Sequence, residues 1–543
     1  MIKKVKPVKP QDGQSQAMNQ LADTPQSLAS IAHTPQSVAR VANAPQPALA
    51  DTPLPLAAVA PDNNAKVGQA GEEMAGKWAV LAIVAFGVFM ATLDSSIVNI
   101  SLPAIAIYFH VPLSGAVEWV IIAYLVATAG VLLTAGRLAD MVGRKVVWTA
   151  GLIIFTGGSA LCGLAPWLGV LIASRALQGI GGALLMSISP AMLTKAFPDS
   201  ERGRALGLNA IVVALGVSVG PILGGVITQY TSWRWIFYVN LPIGIIGLVA
   251  TLLILKERLR RNPGRFDPLG AVLLAVGLAG LTAAMSFGQE LGWTSFPIIA
   301  LLVVAVVALA LLPFVEGRVP NPIIIFSMLS NRVFSSALLS VLLSFLALFA
   351  VSFMMPFYFE ELRGFPIGLS GILLTPVPIT LAIVAPISGS LADRFGTRWL
   401  AAGGLAVSCI GLVLISQLNA HSSIFDIVWR MVFTSVGQGA FQSPNNSALM
   451  GSAPKNLQGS AAGFLATGRT MGQSLSVALA GAVFTGLGGA TAGLLISSHQ
   501  VHGQLIQLQQ TFSGSFQATF LVCAAVAAVG IFASLVRGKE QRL

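Results

Sequence analysis

Asp94 is the one carboxylate of this sequence that lies well inside an apolar run. Glu118, Glu290, Glu360, Glu361 and Asp426 fall near the ends of such runs, and the remaining acids lie between runs or in the tails. Apolar surroundings penalise the charged form of an acid, so a proton can come and go at Asp94 under working conditions. Such an acid couples proton flow to the movement of another molecule when proton and cargo compete for it. A structural aspartate capping a broken helix fits the same residue. Arg175 also lies deep in an apolar run. An arginine there costs roughly 2.5–3.5 kcal/mol on insertion scales, so it must face water or a partner. It is expected to tune a neighbouring carboxylate, with snorkelling to the interface as the alternative. Glu118, beside Trp119, is a second candidate for binding a proton or cation, although an acid in such a place is more often interfacial.

Other chemistries are poorly supported. The five histidines (His33, His110, His421, His499 and His502) fall in tails or loops without a nearby set of Cys or acidic ligands, so no metal is expected. Cys162, Cys409 and Cys523 are far apart and each sits in an apolar run, which gives neither a disulfide framework nor a zinc signature. Gly71 to Lys77 mimics P-loop spacing, but it ends in Trp78 instead of Ser or Thr and leads into an apolar helix, not out of a strand. No enzyme and no cofactor are expected. The net charge of +11 is spread between apolar runs and forms no single patch, which argues against nucleic acid.

The elements that position Asp94 and Arg175 are membrane helices. The chain is 55% hydrophobic and 9% charged, whereas soluble chains carry about a quarter charged residues. Apolar runs long enough to cross a bilayer recur near 78–107, 117–135, 146–164, 168–192, 204–228, 235–255, 268–287, 296–315, 333–357, 367–388, 399–417, 427–450, 460–486 and 516–536. Residues 1–76 are rich in Pro, Ala, Gln and Ser and carry a Thr-Pro-Gln-Ser echo at Thr24 and Thr34; they are expected to be a disordered cytoplasmic tail. Lys and Arg collect in alternate loops, among them Arg137, Arg144, Lys145, Lys195, Arg202, Arg258, Arg318, Arg394 and Lys455, while the other loops hold only Arg234 and Arg363. The positive-inside rule then puts both termini in the cytoplasm.

The two halves of the chain echo each other. Gly136-Arg137-Leu138-Ala139-Asp140 with Gly143 recurs 253 residues later as Gly389-Ser390-Leu391-Ala392-Asp393 with Gly396. Arg175 matches Arg430, Pro190 matches Pro444, and Gly207 matches Gly463. A repeat of one orientation implies two parallel bundles about an axis along the membrane normal. The expected fold is an all-α polytopic membrane protein of two six-helix bundles, 77–255 and 333–536, separated by an inserted helix pair with its linkers, 256–332. A short cytoplasmic tail, 537–543, closes the chain.

These features resemble the major facilitator superfamily. The run Gly136-Arg137-Leu138-Ala139-Asp140-Met141-Val142-Gly143-Arg144-Lys145 is similar to that superfamily's loop between spans two and three. The resemblance implies a gating latch of Gly136, Arg137, Asp140, Gly143 and Arg144, repeated by Asp393 and Arg394. Arg175 to Gly182 resembles a second signature. Gly216, Gly220, Pro221, Gly224 and Gly225 resemble the antiporter signature of span five, where glycines four apart admit a close neighbour and the proline kinks the helix. Leu93-Asp94-Ser95-Ser96-Ile97-Val98-Asn99, Trp233 to Pro242 and Phe266-Asp267-Pro268 resemble the fourteen-span drug:proton antiporters of the EmrB/QacA type. The resemblance runs from about residue 77 to 536.

It implies export of small lipophilic or cationic compounds across the bacterial inner membrane by alternating access. Protons are the coupling ion, and a periplasmic adaptor and an outer-membrane channel are partners admitted by the likeness. One charge crossing about 100 mV yields about 2.3 kcal/mol, which supports export without ATP. The residues expected to line the cavity are Asn99, Tyr124, Gln178, Phe353, Tyr358, Gln438, Gln442 and Asn445, in an otherwise apolar surface. An exporter of one metabolite or lipid, and a receptor that uses the fold without turnover, remain as alternatives.

Overall fold

In a computed structural model of the chain, the described residues are 63–111, 115–198, 201–255, 268–318, 326–454, 457–498 and 504–537. Most of the expected tails, 1–76 and 537–543, and the linkers around the inserted pair lie outside them. Among the described residues every regular element is helical. In chain order they are α1 (Asn63–Phe109), α2 (Gly115–Val142), α3 (Arg144–Leu164), α4 (Leu168–Ala196), α5 (Arg202–Tyr230), the short α6 (Trp235–Tyr238) and α7 (Asn240–Ile254). There follow α8 (Pro268–Leu291), α9 (Phe296–Glu316), the short α10 (Phe326–Leu329) and α11 (Arg332–Phe357), which continues into a π-helical turn, Tyr358–Leu362. The chain ends with α12 (Ile367–Leu374), α13 (Pro376–Phe395), α14 (Thr397–Ser416), α15 (Ile424–Gly451), α16 (Gln458–Gly486), α17 (Gly489–Ser497) and α18 (Leu505–Leu535).

Helices suit lipid because each satisfies its own backbone groups. Among the described residues, eleven helical stretches are long and apolar enough to cross a membrane, and twelve if α16 and α17, bent by 78°, count as one broken span. That is fewer than the fourteen expected, and the difference lies in α2 and α15. The apolar part of α2 is short, Ala116–Leu132. α15 is long enough but carries Asp426, Arg430, Gln438, Gln442, Asn445 and Asn446. Both pack among the other helices, α2 against α4 and α15 against α13 and α14. The apolar stretch of α1 is Gly76–Phe109, so its earlier turns from Asn63 belong to the segment expected as tail. On α9, Phe296, Val303, Val306 and Phe314 are exposed, the surface of a helix in contact with lipid.

The duplication is visible in the backbone. Gly143 (φ 104) and Gly396 (φ 86) occupy matching turns, between α2 and α3 and between α13 and α14. Each N–H closes the preceding helix onto a matching alanine, Ala139 O at 3.0 Å and Ala392 O at 2.8 Å. A Cβ strains such a backbone, so glycine is required at both turns. Pro190 and Pro444 interrupt the matching helices α4 and α15.

Lipid is as apolar as a leucine side chain, so helix association depends on close packing and small residues. α5 shows this directly: a Cβ at Gly216, Gly220 or Gly224 would run into Thr92, Ser96 or Ile100 of α1. The two halves meet where α2 packs on α16 and where α5 packs on α12. α8 of the inserted pair lies against both α2 and α16 and so flanks the first of these seams.

Candidate functional site: a buried ion pair beside a central cavity

Asp94 projects from α1 toward α4 and α7, where it is fully buried. The Arg175 guanidinium, from α4, donates to Asp94 Oδ2 at 2.6 Å. Gln178, one turn further along α4, donates to Asp94 Oδ1 at 2.7 Å, and Asn240 of α7 donates to the same oxygen at 2.9 Å. Three donors from two helices thus converge on the two oxygens of one carboxylate. Arg175 is held further by Val120 O at 2.9 Å and Gln178 Oε1 at 2.7 Å, and Ser159 Oγ of α3 accepts from Gln178 at 2.6 Å. One polar cluster thus ties α1, α2, α3, α4 and α7. The Tyr124 ring covers the guanidinium, 4.4 Å from its carbon.

A cavity of about 630 Å3 lies beside this cluster. Its walls come from both halves: Thr92 and Ser95 of α1, Tyr124 and Thr128 of α2, Met186 of α4, Val213 and Val217 of α5, and Arg469, Thr470 and Gln473 of α16. The lining continues through Gly136, Ala139, Arg144 and Ser460 toward the end that bears the Gly143 turn. At the opposite end the halves close on each other. A Cβ at Gly371 of α12 would run into Pro221 O of α5, one at Gly225 would meet Ile367 O at 2.6 Å, and Gln229 Oε1 accepts from Gly368 N at 2.9 Å.

Glu118 lies in the other seam. It is 1% exposed and accepts from Ser286 Oγ of α8 at 3.0 Å. The α16 backbone passes so close that a Cβ at Gly481 would run into the carboxylate. Separating α2 from α16 therefore uncovers this acid.

The structure brings together Asp94, Arg175 and Gln178, and places Tyr124 between that cluster and the cavity. Asp94 itself does not line the cavity, contrary to the expectation that it meets cargo directly; the arginine and two amides already occupy its oxygens. Of the eight residues expected on the cavity wall, Tyr124 alone lines it. Gln178 serves the ion pair, Asn99 and Phe353 are buried, Tyr358 donates to Asn419 O at 2.7 Å, and Asn445 donates to Ala337 O at 3.0 Å. Gln438 and Gln442 are half-buried elsewhere on α15. α1, α2 and α4 do reach the cavity, where the rotation of each helix about its axis decides which side chains face it. Among the described residues, α11 with its π-helical turn and α15, which carry Phe353, Tyr358, Gln438, Gln442 and Asn445, contribute nothing to its wall.

In the loop after α2, Gly136 and Arg144 line the cavity, and Arg144 donates to Ala191 O at 2.6 Å. The side chains of Arg137, Asp140 and Asp393 lie outside the described residues, and Arg394 is exposed. Gly216, Gly220 and Gly224 face α1, whereas Pro221 and Gly225 face α12, so one helix serves packing within a half and closure between halves. Sequence reasoning missed Arg469 and Gln473 on the cavity wall, although an arginine inside the run 460–486 was a usable signal. It also missed Glu361, which is 5% exposed in the π-helical turn with Oε2 unpartnered among the described residues.

The family model described as Major Facilitator Superfamily matches residues 84–477. The chain is 35% identical over 414 residues to the riboflavin transporter RibZ of Clostridioides difficile (strain 630), covering 76% of this chain and 89% of that protein. It is 32% identical over 404 residues to the multidrug resistance protein Stp of Mycobacterium tuberculosis (strain CDC 1551 / Oshkosh), covering 74% and 75%. In fold it is similar to the crystal structure of a bacterial homolog to the human lysosomal transporter Spinster in an inward-facing, unoccupied conformation. The TM-score is 0.63 at 15% identity, over 85% of this chain and 96% of that one.

Proposed function

We propose that this chain, which belongs to the Major Facilitator Superfamily, exports a restricted class of small organic molecules across the bacterial inner membrane in exchange for protons. Membership makes it a multi-pass membrane protein and a secondary-active transporter of small molecules, not an enzyme. The observation that carries the reading is a cavity between two halves that is sealed at one end by α5–α12 and α2–α16 contacts and lined as far as Gly136 and Arg144 at the other. The Lys and Arg bias assigns the Gly143 end to the cytoplasm, so this conformation faces inward and both termini lie inside. Counting α2 and α15 as spans gives fourteen helices, two bundles of six and the pair α8–α9.

Two relatives pull the cargo in different directions, since one is named for riboflavin and the other for resistance to many drugs. The polar groups set into a mostly apolar wall favour a restricted class. Ser95, Tyr124, Thr128, Thr470 and Gln473 all face the cavity, and a site that offers such groups discriminates against ligands that leave them unpaired.

Glu118 is the acid we assign to proton coupling at the seam, with Asp94 and Arg175 acting behind the wall through Tyr124. Separating α2 from α16 exposes this carboxylate to water, so exchange of its proton goes with opening of the seam. Reconstituted full-length protein, loaded with a pH-sensitive dye and given riboflavin and a panel of small aromatic compounds, tests this. A cargo that evokes proton movement in the wild type and none in Glu118→Gln, while still binding, is the expected result. Cargo movement with no proton movement removes the coupling; proton movement unchanged in Glu118→Gln moves it to Asp94.

A further inference from the structure

The wall that α16 turns to the cavity differs from the wall that α5 turns. Both helices use two glycines, four residues apart, to lie against the first helix of their own half. Gly216 and Gly220 face Thr92 and Ser96 of α1; Gly468 and Gly472 face Leu338 and Phe345 of α11. The residues that follow those glycines are Val217 and Pro221 in α5, but Arg469 and Gln473 in α16. Val217, Arg469 and Gln473 all line the cavity. The duplication therefore presents an apolar surface on one side and a guanidinium with an amide on the other. Arg469 and Gln473 are one helical turn apart and share a face. Thr470 stands beside them and donates its hydroxyl to Ala466 O at 2.9 Å, which leaves its oxygen able to accept.

Arg469 is otherwise unspent. Its guanidinium carbon lies 4.9 Å from the centre of the Phe345 ring. Among the described residues, neither Arg469 nor Gln473 has a hydrogen-bond or ion-pair partner. No Asp or Glu among the described residues lines the cavity, and the buried acid behind the wall, Asp94, is committed to Arg175. The second cation on the wall, Arg144, is bonded to Ala191 O near the Gly143 end. An arginine without a counter-charge inside a membrane protein is costly to maintain, and here it faces the space that receives cargo.

We infer that Arg469 and Gln473 form the polar subsite for cargo, and that the cargo is a small organic anion. Its carboxylate or comparable planar oxyanion meets the guanidinium fork, with the Gln473 amide as a second donor. Its apolar body lies on Tyr124, Leu125 and Met186. A cationic compound, one of the two cargo classes that the resemblance implies, meets only like charge among the described residues of this wall. The inference rests on the transporter reading above and adds the charge of what is carried.

The test uses two xanthene dyes of one scaffold and opposite charge, fluorescein and rhodamine 123, with full-length protein in nanodiscs and in proteoliposomes. Fluorescence polarisation is expected to show fluorescein bound about tenfold or more tighter than rhodamine 123. Arg469→Gln abolishes that preference, and Arg469→Lys, which keeps the charge but not the planar fork, restores part of it. Equal affinity for the two dyes in the wild type overturns the inference, as does a preference that survives Arg469→Gln. Rhodamine 123 bound and moved in place of fluorescein sinks the anion assignment and leaves the transporter standing. If neither dye is bound or moved, the anion subsite fails, and failure of every compound in the riboflavin panel as well takes the transporter reading with it.

Discussion

Arg175 in α4 and Arg430 in α15 occupy matching places in the duplication, and the two halves satisfy them by different means. Arg175 reaches across its bundle to Asp94 at 2.6 Å, in a cluster that also holds Gln178, Ser159 and Asn240. Arg430 turns back to Asp426 on its own helix at 2.9 Å and to Leu414 O at 2.6 Å, near the end of α15. Where the first half has Asp94 in α1, α11 is apolar from Leu346 to Val351. Duplication kept the helices, the glycine turns and the proline inside α4 and α15, because these are set by local backbone chemistry, although the proline of α5 has no counterpart in α16. It did not keep the polar network, whose members come from separate helices and have value only together. The first half is tied by charge across helices, and the second offers its charge, Arg469, to the cavity.

The largest expected effect tests that contrast. Arg175→Met leaves Asp94 buried without its cation and should destabilise the protein by about 3–5 kcal/mol, seen as loss of folded material or a large fall in thermal unfolding temperature in detergent. Arg430→Met removes a partly exposed i, i+4 pair worth about 0.5 kcal/mol and the bond to Leu414 O worth about 1 kcal/mol, so it should cost about 1.5 kcal/mol. Equal effects would mean that the two halves bear charge alike. Next comes closure. Gly371→Ala puts a Cβ onto Pro221 O at the α5–α12 seam, and overpacking of this kind costs about 1–3 kcal/mol. The seam can escape by opening, so a cysteine placed at Ile222 should react faster with an impermeant thiol reagent, by roughly 5-fold or more. Gly472→Ala, inside the second half, should lower stability without raising that rate. The smallest effect concerns the matching loops. Arg144→Gln gives up the bond to Ala191 O, worth about 1 kcal/mol, whereas Arg394→Gln at an exposed position should stay within about 0.5 kcal/mol. A larger loss at Arg394, measured by the same unfolding assay, would show that the second loop is latched as firmly as the first.

Several of these residues are legible in the sequence. Asp94 and Arg175 stand out because a charge in an apolar run is expensive and must be answered, and the structure answers each with the other. Gly143 and Gly396 were marked by the repeat, and their positive φ angles explain why no other residue serves. The cavity wall was not legible. Gln178 reads as a polar lining residue and proves to hold Asp94; Asn445 reads the same way and bonds Ala337 O in the second half. α15 defied a count by apolarity, since its polar residues are accommodated among α13, α14 and α11 instead of lipid.

The sequence by itself determined that the solvent is lipid, that the chain is duplicated, and that an acid and a base must find partners inside the first half. These follow from composition, spacing and desolvation, which act on each residue wherever its neighbours lie. Tertiary structure alone decided that Asp94 is enclosed by Arg175, Gln178 and Asn240, that Glu118 sits in a seam flanked by the inserted helix α8, and that Arg469 faces the cavity. Membrane helices are apolar on nearly every side, so their pattern does not say which face turns inward. That is settled by the close packing of glycine against its neighbour, as at Gly216 on α1 and Gly472 on α11, which fixes the rotation of each helix and with it the direction of every polar side chain.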